Sequence, residues 1–170
     1  MEEMRARIEA TPEDALRRHI DLERPGGGLL PSVWYPAVDM HILLDIVMGG
    51  RDRPLDIERA DRAGPHVFGK QMKGLQKAIF ALFMSPPRYV KLAHRAWNHN
   101  FDDGELVFET ADHWHRCTYV NWTAHHPAVC HMIMRGKKKI YEAMGCKEVQ
   151  IEIERCDPAL GCSSTAVWSD

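Results

Sequence analysis

No apolar run in this 170-residue chain approaches the ~20 residues needed to cross a bilayer, so no membrane span is expected. Charge of one sign is missing as well: 22 Lys and Arg stand against 24 Asp and Glu, a formal net charge of −2. A chain this close to neutral has no global electrostatic footprint for nucleic acid. The opening residues, Met1-Glu2-Glu3-Met4-Arg5, hold acids and no apolar stretch. They do not read as a secretion signal, and a cytoplasmic location is the expectation. There is no internal repeat and no low-complexity tract. A Walker-type loop, a dinucleotide fingerprint, a GxSxG elbow and an HExxH pair are all absent. Gly26-Gly27-Gly28 follows a helical segment rather than a strand, so it is not a phosphate cradle. Nothing positive marks a catalytic nucleophile, and an enzyme is not the expectation.

What is present is ordinary globular composition, with 45% apolar and 27% charged residues. The length suits a single domain over 1–170 with a core of its own. The five Cys are odd in number. With no secretion signal, that argues against a disulfide framework and for reduced thiols, either buried or bound to metal.

Local pattern predicts helices first. Thr11-Pro12-Glu13-Asp14 starts one that runs to about Leu22. Pro36 opens a second, with Val38, Ile42, Leu43, Ile46 and Val47 on its apolar side and Gly49-Gly50 at its end. The stretch from Asp52 to Ala63 reads as polar. A third helix follows Gly64-Pro65 and carries the stripe Phe68, Met72, Leu75, Ile79 and Phe83. Ser85-Pro86 caps a fourth, which carries Ala93 and Trp97.

Strands come next, at Glu105–Glu109 and Cys117–Trp122. Pro127 opens a helix ending at Gly145, with Val129, Ile133, Ile140 and Met144 as its core positions. Val149–Glu154 alternates strictly, as a half-buried strand does, and Thr165–Trp168 is the last strand. The predicted fold class is α+β. A mainly helical half over 1–100 precedes an antiparallel β-β-α-β-β sheet over 101–170, with a long helix packed on it.

The strongest chemical signal is Cys130, Cys156 and Cys162 with Glu152 or Glu154. Period two places both acids and Cys156 on one strand face. The short loop after Asp157 lets Cys162 return toward Cys156. Thiolates with a carboxylate match a closed tetrahedral zinc site. The plain alternative is three small buried core residues. His113-Trp114-His115 puts two imidazoles on one strand face, and a solvated edge is the favoured reading. His125-His126 before Pro127 reads as a helix-cap region. Lys137-Lys138-Lys139 reads as a solvated helix face.

Three stretches together resemble a family. They are Gly27–Pro36; Ser85-Pro86-Pro87-Arg88 with the helix to Trp97 and the hairpin after Gly104; and His126-Pro127-Ala128-Val129-Cys130 with Gly136, Gly145, Val149–Arg155, Cys156, Gly161-Cys162 and Trp168. The chain resembles uncharacterised proteins of myxobacterial type, within the superfamily of haem nitric-oxide-binding, 4-vinyl-reductase-like and TRAPP-subunit domains. That resemblance implies an α+β sensor domain holding a small, mostly apolar or aromatic molecule between helices and sheet. It also implies a structural zinc on Cys130, Cys156, Cys162 and an acid. The family acid sits three residues before the first late Cys. That position is Ile153 here, so a bulge bringing Glu154 into place is the expectation.

Phe80, Phe83, Trp97 and Tyr119 are the expected pocket lining. Haem is not expected, because its Tyr-x-Ser-x-Arg propionate clamp is missing. Only Ser169 and Asp170 follow Trp168, so a signal would pass through an unknown downstream protein. A homodimer is expected, with Leu29–Tyr35 as the candidate apolar surface. The alternatives are a dimeric interaction module without ligand, a haem-binding protein and a tetrapyrrole-related enzyme.

Overall fold

The computed structural model describes residues 20, 35–51, 53–71, 74–157 and 159–170. The expected helix to Leu22 and the Leu29–Tyr35 surface lie outside those residues, Ile20 and Tyr35 apart. The chain divides into two compact units, Met1–Asp56 and Ile57–Asp170.

In the first unit, α1 spans Ala37–Met48, with Pro36 before it and Gly49 after it at φ 84°. A glycine is required there, because a side chain would meet Arg53 and the Pro54 carbonyl in a left-handed conformation. Ile46 is buried against Ile20, Ile42 and Leu43. Val38, expected on the apolar side, is exposed.

The second unit opens with α2, Ile57–Gln71. The sequence predicts a polar connector that ends at Gly64-Pro65, yet the helix runs straight through Pro65. Packing overrides the lost donor of the proline. Ala60 is fully buried, and a Cβ at Gly64 would overlap the Met132 carbonyl of α5 (Pro127–Ala143). One helical step further, Phe68 fills the space that a Cβ on Gly136 would take. Ala60, Gly64 and Phe68 thus form one stripe against α5, and close backbone contact holds the helix.

The predicted stripe to Phe83 is divided between α2 and α3 (Gly74–Phe83), with Met72 outside the described residues. Next comes α4 (Pro86–Asn100), behind Ser85 in extended conformation and with Pro86 in its first turn. Ala93 and Trp97 are its buried positions.

Four strands complete the unit: β1 Glu105–Ala111, β2 Trp114–Val120, β3 Lys147–Asp157 and β4 Gly161–Ser169. Their order is β1-β2-β4-β3, and every pair is antiparallel. The helix between β2 and β3 is α5, which packs against β3 and α2. This is the expected α+β architecture. Among the described residues no helix is long and apolar enough to cross a membrane.

The fully buried face of α5 is rotated from the expected one. Ala128, Cys130, Met134, Lys137 and Tyr141 point inward, while Val129, Ile133 and Ile140 are half-buried and Met144, at the helix end, is buried as expected. Among the described residues of the second unit, two clusters make the core. Trp97, Tyr119, Trp122, Cys130, Met134 and Cys162 form one. Tyr141, Val149, Ala166 and Trp168 form the other, with Phe80 packed against them.

Candidate functional site

Three elements converge at one end of the sheet. The first is the start of α5. His126 caps it, its Nδ1 accepting from the Ala128 N–H at 3.2 Å, and Pro127 occupies the first turn. One helical turn later Cys130 points inward at 1% exposure. Just before the cap, the turn closed by the His125 N–H on the Trp122 carbonyl (3.2 Å) places His125 beside it.

The other two are the ends of β3 and β4. Cys156 and Cys162 are direct partners in that hairpin. Asp157 Oδ1 accepts the N–H groups of Ala159 and Leu160, each at 2.8 Å, and pins the turn. Those two bonds hold the Asp157 carboxyl below its usual range. Gly161 (φ 79°) lets the chain pass against the Tyr119 carbonyl, where a Cβ would collide.

His125, Cys130, Cys156 and Cys162 each offer a ligand atom, and all four atoms lie within 4.8 Å of one another. Cys156 Sγ is 3.7 Å from Cys162 Sγ and 3.5 Å from His125 Nε2. A tetrahedral zinc with bonds of about 2.3 Å to sulfur and 2.0 Å to nitrogen has S–S edges of about 3.8 Å and S–N edges of about 3.5 Å. These two edges of the cluster have metal-site length. Burial, with Asp157 and Asp61 adding to it, pushes the metal-free Cys156 thiol up to about 11. A divalent cation would remove that proton on binding.

Cys130 and Cys162 are joined as a disulfide, 32 residues apart in sequence. The odd cysteine count argues for reduced thiols, and local spacing carries no signal for so distant a pair. The disulfide and a four-ligand metal site use the same two sulfurs and exclude one another.

The cluster differs from the expected one in its fourth member. A bulge is present between Ile153 and Arg155, but it moves Cys156 rather than Glu154. An extra residue in one strand turns the residues after it to the other face. Cys156 therefore packs against the core with Ile153, while Glu154 stays outside. There the Arg116 guanidinium donates to Glu154 at 3.0 Å, and the Thr165 hydroxyl donates to it too. The Thr165 hydroxyl first, then Arg116, hold the Glu154 carboxyl below its usual range. Glu152 is exposed on the same strand.

The four expected pocket residues are not brought together. Trp97 and Tyr119 meet at 4.9 Å between ring centroids. Trp97 also stacks on Phe101 at 4.1 Å and donates its indole N–H to the Asp103 and Gly104 carbonyls. Phe80 belongs to the other cluster. Phe83, the last residue of α3, is 65% exposed.

The layer between α5 and the sheet holds polar groups that local sequence pattern does not reveal. His115 Nδ1 and the Tyr141 hydroxyl are 2.8 Å apart and buried. His113, expected to share a strand face with His115, lies in the β1–β2 turn instead. Burial raises the Tyr141 phenol, and it lowers the proton affinity of His115, with the Lys137 ammonium adding to that.

Folded His115 therefore takes up its proton at a lower pH than the unfolded chain, which does so near pH 6.5. The stability contributed is fully present above that value and is lost as pH falls toward the folded value. Melting curves of the metal-free protein at about pH 7.5 and 5.5 should show a fall in Tm that is smaller in a His115→Gln variant. An equal fall in both would remove His115 from the account.

No family model matches the sequence, and no curated protein matches it. Solved structures do. A point mutant of the H-NOX protein from K. algicida, in the Fe(II) unliganded state, aligns with TM-score 0.58 and 13% identity over 99% of this chain and 94% of that one. An H-NOX protein from S. oneidensis in the Fe(II)NO ligation state aligns with TM-score 0.57 and 11% identity over 92% of this chain and 87% of that one. The chain has the H-NOX fold. At these identities the likeness carries architecture alone, and it agrees with the α+β order read from the residues.

Proposed function

We propose that this protein is a small-molecule-binding sensor domain whose sheet end is fastened by a structural zinc on His125, Cys130, Cys156 and Cys162. The carrying observation is the four-donor cluster with edges of 3.7 Å and 3.5 Å in a largely dry corner. Three sulfurs and an imidazole are a zinc donor set. Bound there, zinc supplies a cross-link and neutralises thiolate charge. Four protein ligands leave no open position, so the role is structural rather than catalytic. His125 and Cys130 fix the entry of α5, while Cys156 and Cys162 fix the β3–β4 hairpin.

The sensor part is supported by the fold, and by the S. oneidensis neighbour having been solved with NO as ligand. In this chain the ligand would be small and apolar or aromatic, held between helices and sheet. Such a cytoplasmic domain would signal through a separate protein, as a homodimer.

A second reading is haem, favoured by the Fe(II) states of the neighbours. Here the buried His115 is already engaged by Tyr141. A Soret band in the purified protein would establish haem.

Native mass spectrometry of the reduced protein, with no metal or ligand added, tests the proposal. One zinc per chain, lost in Cys156→Ser, is the expected result. An organic mass released on denaturation would identify the occupant of the layer. A folded chain of bare mass would overturn the zinc and favour an interaction module.

A further inference from the structure

Lys137 is a buried cation that neither the core nor the metal cluster employs. It sits mid-way along α5 at 3% exposure. Its ammonium donates to Ser164 Oγ at 3.0 Å and lies 4.9 Å from the centroid of the Tyr119 ring. Among the described residues it forms no ion pair. An ammonium has three donors. A hydroxyl and a ring face satisfy them only in part, and a buried charge without a counter-ion is strongly disfavoured. Its sequence neighbour Lys139, by contrast, pairs with Glu142 at 2.6 Å.

The surroundings specify the counter-ion that is wanted. Ser164 is buried on β4, directly opposite Cys117 of β2. Tyr141 follows Lys137 by four residues, on the same face of α5. It binds His115, whose ring also packs edge-on against Trp168 at 4.8 Å. The neighbouring side chains are thus aromatic, with one fixed positive charge and hydroxyl groups among them. That is a recognition chemistry for an aromatic molecule bearing a single anionic group.

We propose that Lys137 and Ser164 anchor the anionic group, a carboxylate or sulfonate, of an aromatic ligand held between α5 and the sheet. The proposal rests on the small-molecule reading above and names the ligand class. The anion completes the hydrogen bonds of Lys137, while Tyr119 and Tyr141 flank the ring.

Two dyes with one skeleton test it. 8-Anilinonaphthalene-1-sulfonate carries the anion and N-phenyl-1-naphthylamine lacks it. Fluorescence titration of the full chain should give one bound sulfonate dye per chain. Lys137→Met should weaken the sulfonate dye by about 30-fold or more and leave the neutral dye within a factor of about three. Lys137→Arg should keep the sulfonate dye. Without ligand, Lys137→Met should melt no lower than the parent, because methionine removes an uncompensated buried charge.

Equal loss or equal retention of both dyes in Lys137→Met would overturn the anchor and leave the small-molecule reading standing. Binding of neither dye to the parent protein would overturn both. If Lys137→Met and Lys137→Arg both fail to fold, Lys137 is a structural residue and the proposal falls.

Discussion

In the reduced protein, His125→Ala should abolish stoichiometric zinc binding, whereas Glu154→Gln should keep it. The two variants separate the donor set that the fold assembles from the one that family resemblance implies. His125 Nε2 is 3.5 Å from Cys156 Sγ, while Glu154 is engaged by Arg116 and Thr165 on the outer face. Removing one of four ligands should weaken zinc by more than the 10–100-fold typical of outer-shell changes, so about 100-fold or more is expected. Elemental analysis after dialysis against a weak chelator reads it directly. Retention of zinc by His125→Ala with loss in Glu154→Gln would restore the carboxylate site. Oxidised protein should bind no zinc in either background, because the Cys130–Cys162 disulfide consumes two ligands.

The second large effect is a reversal of sign along a single helix. In an exposed helix, Gly→Ala stabilises by about 1 kcal/mol. Gly69 of α2 is half-buried but has room for a methyl: an added Cβ would touch only Lys139 Cγ, at 4.0 Å. Gly69→Ala should therefore raise Tm by a few degrees. Five residues earlier on α2, Gly64→Ala drives a methyl into the Met132 carbonyl of α5. Backbone cannot give way as a flexible side chain does, so a loss of about 3 kcal/mol is expected, or roughly 10 °C in Tm. Circular-dichroism melting of both variants decides it. A stabilising Gly64→Ala would mean that α2 and α5 are further apart in solution.

Much of this fold was legible because its signals are local. Pro36, Ser85-Pro86 and Pro127 mark helix starts where α1, α4 and α5 begin. The alternation of Val149 to Glu154 reads correctly as a half-buried strand. Pro65 is the counter-example. Its residue type argues for a boundary, but Ala60 and Gly64 carry no apolar signal in a polar stretch and become a packing stripe only once α5 lies against them. Lys137 fails for a related reason. Three consecutive lysines read as a solvated face, and helical rotation alone decides that the first points at Ser164 while the third pairs with Glu142.

Residue pattern alone is enough for the α+β class and for singling out Cys130, Cys156 and Cys162, whose sulfurs the fold brings together. Those come from periodicity, capping residues and the chemistry of thiols, all readable within a few residues. Which side chain joins those three sulfurs follows from the tertiary structure: His125 does, and Glu154 does not. One extra residue near Glu154 turns Cys156 inward and leaves the acid outside. The turn before α5 then brings in His125, which sequence alone had assigned to a helix cap. Register and helix rotation are set by contacts between segments distant in the chain, and no local pattern encodes them.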